Sequence, residues 1–246
     1  VTLPGQATPQ KVRSEQRLHQ IIHGDAIKLL KEVDSESVDL VVTDPPYLVN
    51  YRDRTGRSVA NDDNPASVLA AFPELFRVLK PHSYLVLFCG WSAIDRFSAA
   101  WTQAGFHTVG HVVWHKPYAS NARHLEYRHE SAWLLTKGSP KAPLRPLPDV
   151  QAWTYSGNRS HPTEKAVEII TPLIRSFSAP GELVLDPFLG SGTTAVAAAL
   201  NGRRYLGIEL EERYCELARR RIEGVERFRN IRPAAARSEL AGGLAA

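Results

Sequence analysis

Cysteine is nearly missing from this chain: two residues in 246, Cys89 and Cys215, and no methionine at all. Two isolated cysteines form neither a disulfide framework nor a zinc-binding spacing, and a reducing, cytoplasmic setting suits them. His161 has no neighbouring acid or cysteine at ligand spacing, so no metal is expected. Long apolar runs are also missing, which excludes a membrane-spanning helix, and no leader-like stretch opens the chain. A strongly basic body is absent too. The net charge is +4, but eight arginines and three glutamates between 213 and 237 carry +5, leaving −1 for the remainder. Any nucleic-acid footprint must therefore be local, and the arginine run reads first as a solvated helix face and tail, with DNA contact second.

What is present is the composition of a globular α/β domain, 43% hydrophobic and 23% charged. A chain of this length can enclose one substantial core. Apolar strand patterns alternate with helical ones, which predicts a parallel sheet covered on both faces. Residues 1–17 read as a loose arm, 18–230 as the domain, and 231–246, an Ala/Gly-rich stretch, as a disordered tail.

Two stretches stand out. The apolar run Val38 to Val42, interrupted by Asp39, ends in Thr43-Asp44-Pro45-Pro46-Tyr47. This pattern predicts a buried parallel strand that delivers a rigid turn at its C-terminal end. A carboxylate, fixed carbonyls and one aromatic ring then face a common point, which suits a planar group with an exocyclic amine. A plain strand-ending turn is the competing reading. The second stretch, Glu182 to Thr194, reads as strand, glycine-rich turn, helix. It lacks the third glycine of a dinucleotide fingerprint, which disfavours NAD. Gly190 and Gly192 let backbone approach a ligand, and the helix start offers free N–H groups. Glu209 ends the following strand, placed to accept from ribose hydroxyls.

Together these stretches resemble the amino-methyltransferases of DNA. Asp44, Pro45, Pro46 and Tyr47 match the family's catalytic D-P-P-Y. Asp186, Pro187, Phe188, Gly190, Ser191, Gly192, Thr193 and Thr194 match its cofactor motif D-P-F-x-G-S-G-T-T. The catalytic motif comes first, as in the family's β class. His161, Pro162, Thr163 and Lys165 resemble the family's cofactor-contacting H-P-T-x-K-P, with Ala166 in place of the final proline. Asp25 reads as a helix N-cap, while the family places an acid there near the cofactor's adenosine. The resemblance implies S-adenosylmethionine as methyl donor. It also implies a Rossmann-like fold, circularly permuted, with a seven-stranded mixed sheet and helices on both faces.

It further implies double-stranded DNA as substrate, a flipped-out base as methyl acceptor, and a homodimer. In the family, Asp opens the motif more often in adenine enzymes, which favours adenine N6 over cytosine N4. RNA and protein methylation remain alternatives. Residues 48–64, with Arg52, Arg54 and Arg57, read as a mobile loop or DNA clamp, although its arginines could equally be solvated. Residues 116–160 are expected to recognise the target, with Tyr118, Arg123, Lys137, Lys141 and Arg145 contacting DNA.

Overall fold

The computed structural model describes residues 19–49, 62–120, 124–155, 157 and 164–231. The expectations for the arm at 1–17, for the tail beyond 231, and for Arg52, Arg54, Arg57, Arg123, His161, Pro162 and Thr163 lie outside the described residues.

In chain order the strands are β1 (Gln20–His23), β2 (Val38–Thr43), β3 (Leu79–Phe88), β4 (His107–His115), β5 (His129–Lys137), β6 (Val150–Ala152), β7 (Leu183–Asp186) and β8 (Arg204–Glu209). The helices are α1 (Ala26–Leu29), α2 (Ala66–Leu69), α3 (Phe72–Val78), α4 (Ile94–Ala104), α5 (Val167–Phe177), α6 (Thr193–Leu200) and α7 (Glu212–Ile231). All eight strands join one sheet in the order β1-β8-β7-β2-β3-β5-β4-β6. Only β5 runs against its neighbours β3 and β4. Among the described residues the seven strands expected are thus eight. The addition is β6, three residues paired in parallel with Val113 to His115 at the sheet's edge.

Sheet geometry explains the apolar runs. Successive strand residues face opposite sides, so a strand covered on both faces must be apolar throughout. In β2, Val41 enters the core beneath α1–α4, while Leu40 and Val42 enter the core beneath α5–α7. In β3, Leu85 and Leu87 take the first side and Val86 and Phe88 the second. Each such side chain contributes roughly 1.5–3 kcal/mol on burial. Asp39, the break in the run, is ion-paired with Lys80 and accepts from the Leu183 amide at 2.8 Å. It stitches β2 to β3 and β7 at the end of the sheet away from the Asp-Pro turn.

The apolar segment from 66 divides into α2 and α3, and Pro73 stands in the first turn of α3, where its missing N–H costs nothing. Leu79 opens β3. A 3₁₀ turn over Trp91–Ala93 leads into α4. Gly105, at φ 103°, closes α4. The last helix passes the exposed Gly224 and reaches Ile231.

Candidate active site

The order of the sheet makes β2 and β7 neighbours, with Leu40 opposite Val184 and Val41 opposite Leu185. The turns that leave their C-terminal ends therefore meet, although 142 residues separate Asp44 from Asp186. Thr43 Oγ1 donates to Asp186 Oδ1 across 2.9 Å, tying one strand end to the other. A cleft opens above this link. Its walls include Asp44, Phe88, Glu164, Lys165, Asp186 and Phe188, with Gly190, Ser191, Thr193 and Thr194 along the glycine turn. Of the proposed cofactor residues, Pro187 and Gly192 belong to that same turn without lining the cleft.

The glycine turn is braced from below. Glu209, at the end of β8, accepts the Gly190 amide at 2.7 Å and the Glu211 amide at 2.8 Å. Burial raises its carboxyl, and those amides oppose the rise. Both carboxylate oxygens thus already carry backbone donors. The ribose-binding role expected of Glu209 has to use the remaining lone pairs. Gly192 sits at φ 89°, and a Cβ there would stand 2.6 Å from the Ala218 Cβ of α7. Only glycine permits that conformation beside that helix. Asp25 caps α1 through the Ile27 amide at 2.8 Å and stands beside β8, two strands away from β2, outside the cleft wall.

Asp186 is buried and accepts from Thr43 and from the Phe188 amide at 3.1 Å. Burial pushes its carboxyl up to about 7, opposed by hydrogen bonds from Thr194, Thr43 and Phe188. Asp44 differs in one respect. Its Oδ2 lies 2.5 Å from Lys165 Nζ, whereas its buried Oδ1 has no partner among the described residues. Burial raises the Asp44 carboxyl, and Lys165 opposes the rise. The Tyr47 ring stands against Gly90, where a Cβ would come within 3.1 Å of Tyr47 Cδ2. After Tyr47 the chain turns sharply. Leu48 adopts φ 62°, unusual for a branched side chain, and buried Asp62 accepts the Leu48 and Val49 amides at 2.7 and 3.3 Å.

Arg221 of α7 was missed from sequence. Its Nη1 reaches Glu164 at 2.9 Å, the Ser191 carbonyl at 2.8 Å and Ser191 Oγ at 2.8 Å. It locks the segment before α5 to the glycine turn. Trp91 was missed as well. It is 59% exposed, follows the catalytic end of β3 and stacks on Tyr127 at 5.6 Å and 15°. Nearby, Tyr118 and Tyr155, both exposed, meet edge to face at 6.0 Å. Buried Lys116 pairs with Glu130 and lies over the Trp153 ring at 5.1 Å. A large exposed aromatic just after a C-terminal strand end was the available signal for Trp91.

Among the described residues, the basic side chains assigned to DNA contact, Lys137, Lys141 and Arg145, do not gather at the cleft. Because β5 runs backwards, Lys137 emerges at the opposite end of the sheet. There it donates to the Leu79 carbonyl at 2.7 Å and lies over Phe76 at 4.9 Å. The Lys141 carbonyl is held by the Tyr84 hydroxyl at 3.0 Å in the same half of β3, and Arg145 is exposed further along. In α7 the arginines pair with glutamates, among them Arg219 with Glu212 and Arg227 with Glu223, as a solvated face would. Among the described residues, no helix is long and apolar enough to cross a membrane, and no three metal-ligating side chains cluster.

The cleft fits a cationic methyl donor. Among its described lining residues the one basic side chain, Lys165, is balanced by Asp44, Glu164 is balanced by Arg221 behind it, Asp186 adds a further carboxyl, and Phe88 and Phe188 supply apolar walls. A mostly parallel sheet that brings an acidic turn and a glycine turn to one cleft is the architecture of S-adenosylmethionine-dependent methyltransferases. The chain belongs to the DNA methylase family, whose N6/N4 methyltransferase model matches residues 38–220. A protein of Escherichia coli (strain K12) described as a methylase, YubD, is 50% identical over 210 residues, covering 85% of this chain and 92% of that one. The structure of M1.HpyAVI in complex with SAM is similar, with a TM-score of 0.66 and 26% identity over 82% of this chain and 98% of the other. The PvuII cytosine-N4-specific DNA methyltransferase shares the fold at 19% identity and a TM-score of 0.68, covering 91% of this chain and 92% of its own.

Proposed function

We propose that this DNA methyltransferase modifies the exocyclic amine of a base flipped out of double-stranded DNA, and that the base is adenine, methylated at N6. One observation carries the reading. A buried carboxylate oxygen without a partner among the described residues, Asp44 Oδ1, stands in the wall of the cleft that the glycine turn also lines. A buried acceptor left unpaired costs about 1–3 kcal/mol, so its persistence points to a donor that arrives with the substrate.

S-adenosylmethionine, when bound, supplies the electrophilic methyl. Asp25, Asp186, Pro187, Phe188, Gly190, Ser191, Gly192, Thr193, Thr194, Glu209, His161, Pro162 and Thr163 are the residues proposed to hold it; Lys165, which the motif would also give to the cofactor, is taken up by Asp44 instead. Asp44 Oδ1 and the Pro45 carbonyl accept the two amine protons, and Pro46 keeps the turn rigid. Together they draw the nitrogen lone pair out of conjugation and aim it along the transfer line. Tyr47 stacks on the base. A base inside the duplex cannot reach this cleft, so extrusion is required. Holding nucleophile and methyl in line supplies on the order of 7–11 kcal/mol. Trp91, Tyr127, Tyr118 and Tyr155 all follow or precede strand ends on the catalytic side and offer stacking surfaces to the substrate.

The opening Asp of the motif favours adenine by family association, and the shared fold of a cytosine-N4 enzyme keeps cytosine N4 as the second reading. Mass spectrometry of nucleosides from DNA methylated by the purified chain decides between them. N6-methyladenine is expected, and N4-methylcytosine alone would replace this reading. Running the assay on RNA and on protein extract tests the remaining acceptors. Homodimerisation is proposed from the family alone, and sedimentation velocity checks it.

A further inference from the structure

By sequence position Lys165 falls in the segment that the family resemblance gives to the cofactor, yet its ammonium is spent on other groups. Nζ lies 2.5 Å from Asp44 Oδ2 and 3.5 Å from the Tyr47 hydroxyl. It also lies 5.2 Å from the Phe88 ring centroid and 5.6 Å from that of Tyr47. The residue is only 9% exposed. This cation is therefore caged by two rings, a hydroxyl and the carboxylate. The carboxylate is left asymmetric, with Oδ2 engaged and Oδ1 buried without a partner among the described residues.

Resting on the reading that Asp44 receives the target amine, we propose that Lys165 is a positioning residue for methyl transfer: it ties Oδ2 and thereby presents Oδ1 to the amine. The alternatives open to an untied carboxylate explain the need. A free Asp44 could rotate about χ2 and point either oxygen away from the amine. A protonated Asp44 would offer a hydroxyl that donates where an acceptor is required.

The groups around the carboxylate make protonation a real hazard. Burial raises the Asp44 carboxyl, Lys165 opposes that rise most strongly, the Tyr47 hydroxyl helps, and Glu130 at the start of β5 adds to the rise. Cys89 at the end of β3 has its thiol pushed up to about 12 by burial and stays neutral. Asp186, tied to the neighbouring Thr43, faces the same charge and has its own carboxyl raised in part by Asp44. Burial opposes the charge on Lys165 itself, but Asp44 and Glu130 outweigh it and the ammonium is held. A lone ammonium in this cleft would repel a sulfonium cation. Paired with Asp44, it adds little net charge.

The test compares Lys165→Met and Lys165→Arg with the wild type. Three quantities are read: affinity for S-adenosylhomocysteine by calorimetry, the pH profile of kcat on unmethylated DNA, and the Asp44 carboxylate band by infrared difference against Asp44→Asn. Lys165→Met is expected to keep product affinity within about threefold while kcat falls at least about 100-fold. Its acid limb, and the infrared titration of Asp44, should move up by about one pH unit or more. Lys165→Arg should restore much of kcat and return the limb. Two results overturn the inference: product affinity lost with kcat at saturation retained, or an unmoved acid limb and carboxylate band. A wild-type protein that methylates no DNA would instead remove the reading of Asp44 as the amine's acceptor, and the infrared titration would still decide the Lys165–Asp44 pairing.

Discussion

Thr43 Oγ1 and Asp186 Oδ1, 143 positions apart in sequence, share a hydrogen bond of 2.9 Å in the buried floor of the cleft. Through it, the strand that presents Asp44 and the strand that presents the glycine turn are held at fixed spacing. Thr43→Val keeps the shape and removes the bond. It is expected to cost about 1–2 kcal/mol in chemical denaturation. Removing that donor also lifts the Asp186 carboxyl further, because the Thr43 bond is one of those holding it down.

Asp186 itself makes stability depend on pH. Its folded-state carboxyl titrates at about 7, above the ordinary 3.8. A raised folded value means that its stabilising share is complete below the unfolded value and is lost as pH climbs toward 7. Asp186→Asn cannot ionise. The stability difference between variant and wild type should therefore shift in the variant's favour between about pH 4 and 7, by up to ~4 kcal/mol. Denaturation of the ligand-free protein across that range provides the check, and a flat difference would contradict it.

Asp44→Ala tests the chemistry directly. Methyl transfer should fall by about 100-fold or more, while S-adenosylmethionine titrates with nearly unchanged affinity. Near-normal turnover would show that the carboxylate is not the acceptor for the amine.

Arg221→Ala should loosen the glycine turn from behind. The guanidinium binds Glu164 and both the carbonyl and hydroxyl of Ser191. Its loss leaves Glu164 in a largely buried site without that ion pair and is expected to cost ~2–4 kcal/mol in stability. Cofactor affinity should drop while kcat at saturation changes little, which calorimetry and saturation kinetics separate. Arg221→Lys should recover only part of the effect, because an ammonium cannot match the fork geometry.

Much of this architecture was legible in advance because its signals are local. The run from Val38 to Val42 reads as a doubly covered strand, since each residue must suit one face or the other. Gly192 reads as a turn because its backbone conformation is closed to other residues. The unread parts depend on tertiary partners. Three residues of β6 carry no pattern of their own and become a strand only because β4 offers an edge. Gly224 argues for a helix end at a cost of about 1 kcal/mol. Arg227–Glu223, spaced i,i+4 across that glycine, favours continuation. Lys137 looks available for phosphate until β5 is seen to run backwards and deliver it to the far end of the sheet. Lys165 sits in a cofactor-like motif, but its partner lies 121 positions earlier, a pairing that no spacing rule reveals.

Asp62 takes both amides of Leu48 and Val49, so the chain leaves the catalytic turn and comes back to it at one knot. The geometry of Asp44 to Tyr47 is thereby insulated from whatever is threaded between the two arms of that knot. An engineer could splice a longer, shorter or foreign segment between Val49 and Asp62 and leave the reacting groups where they stand.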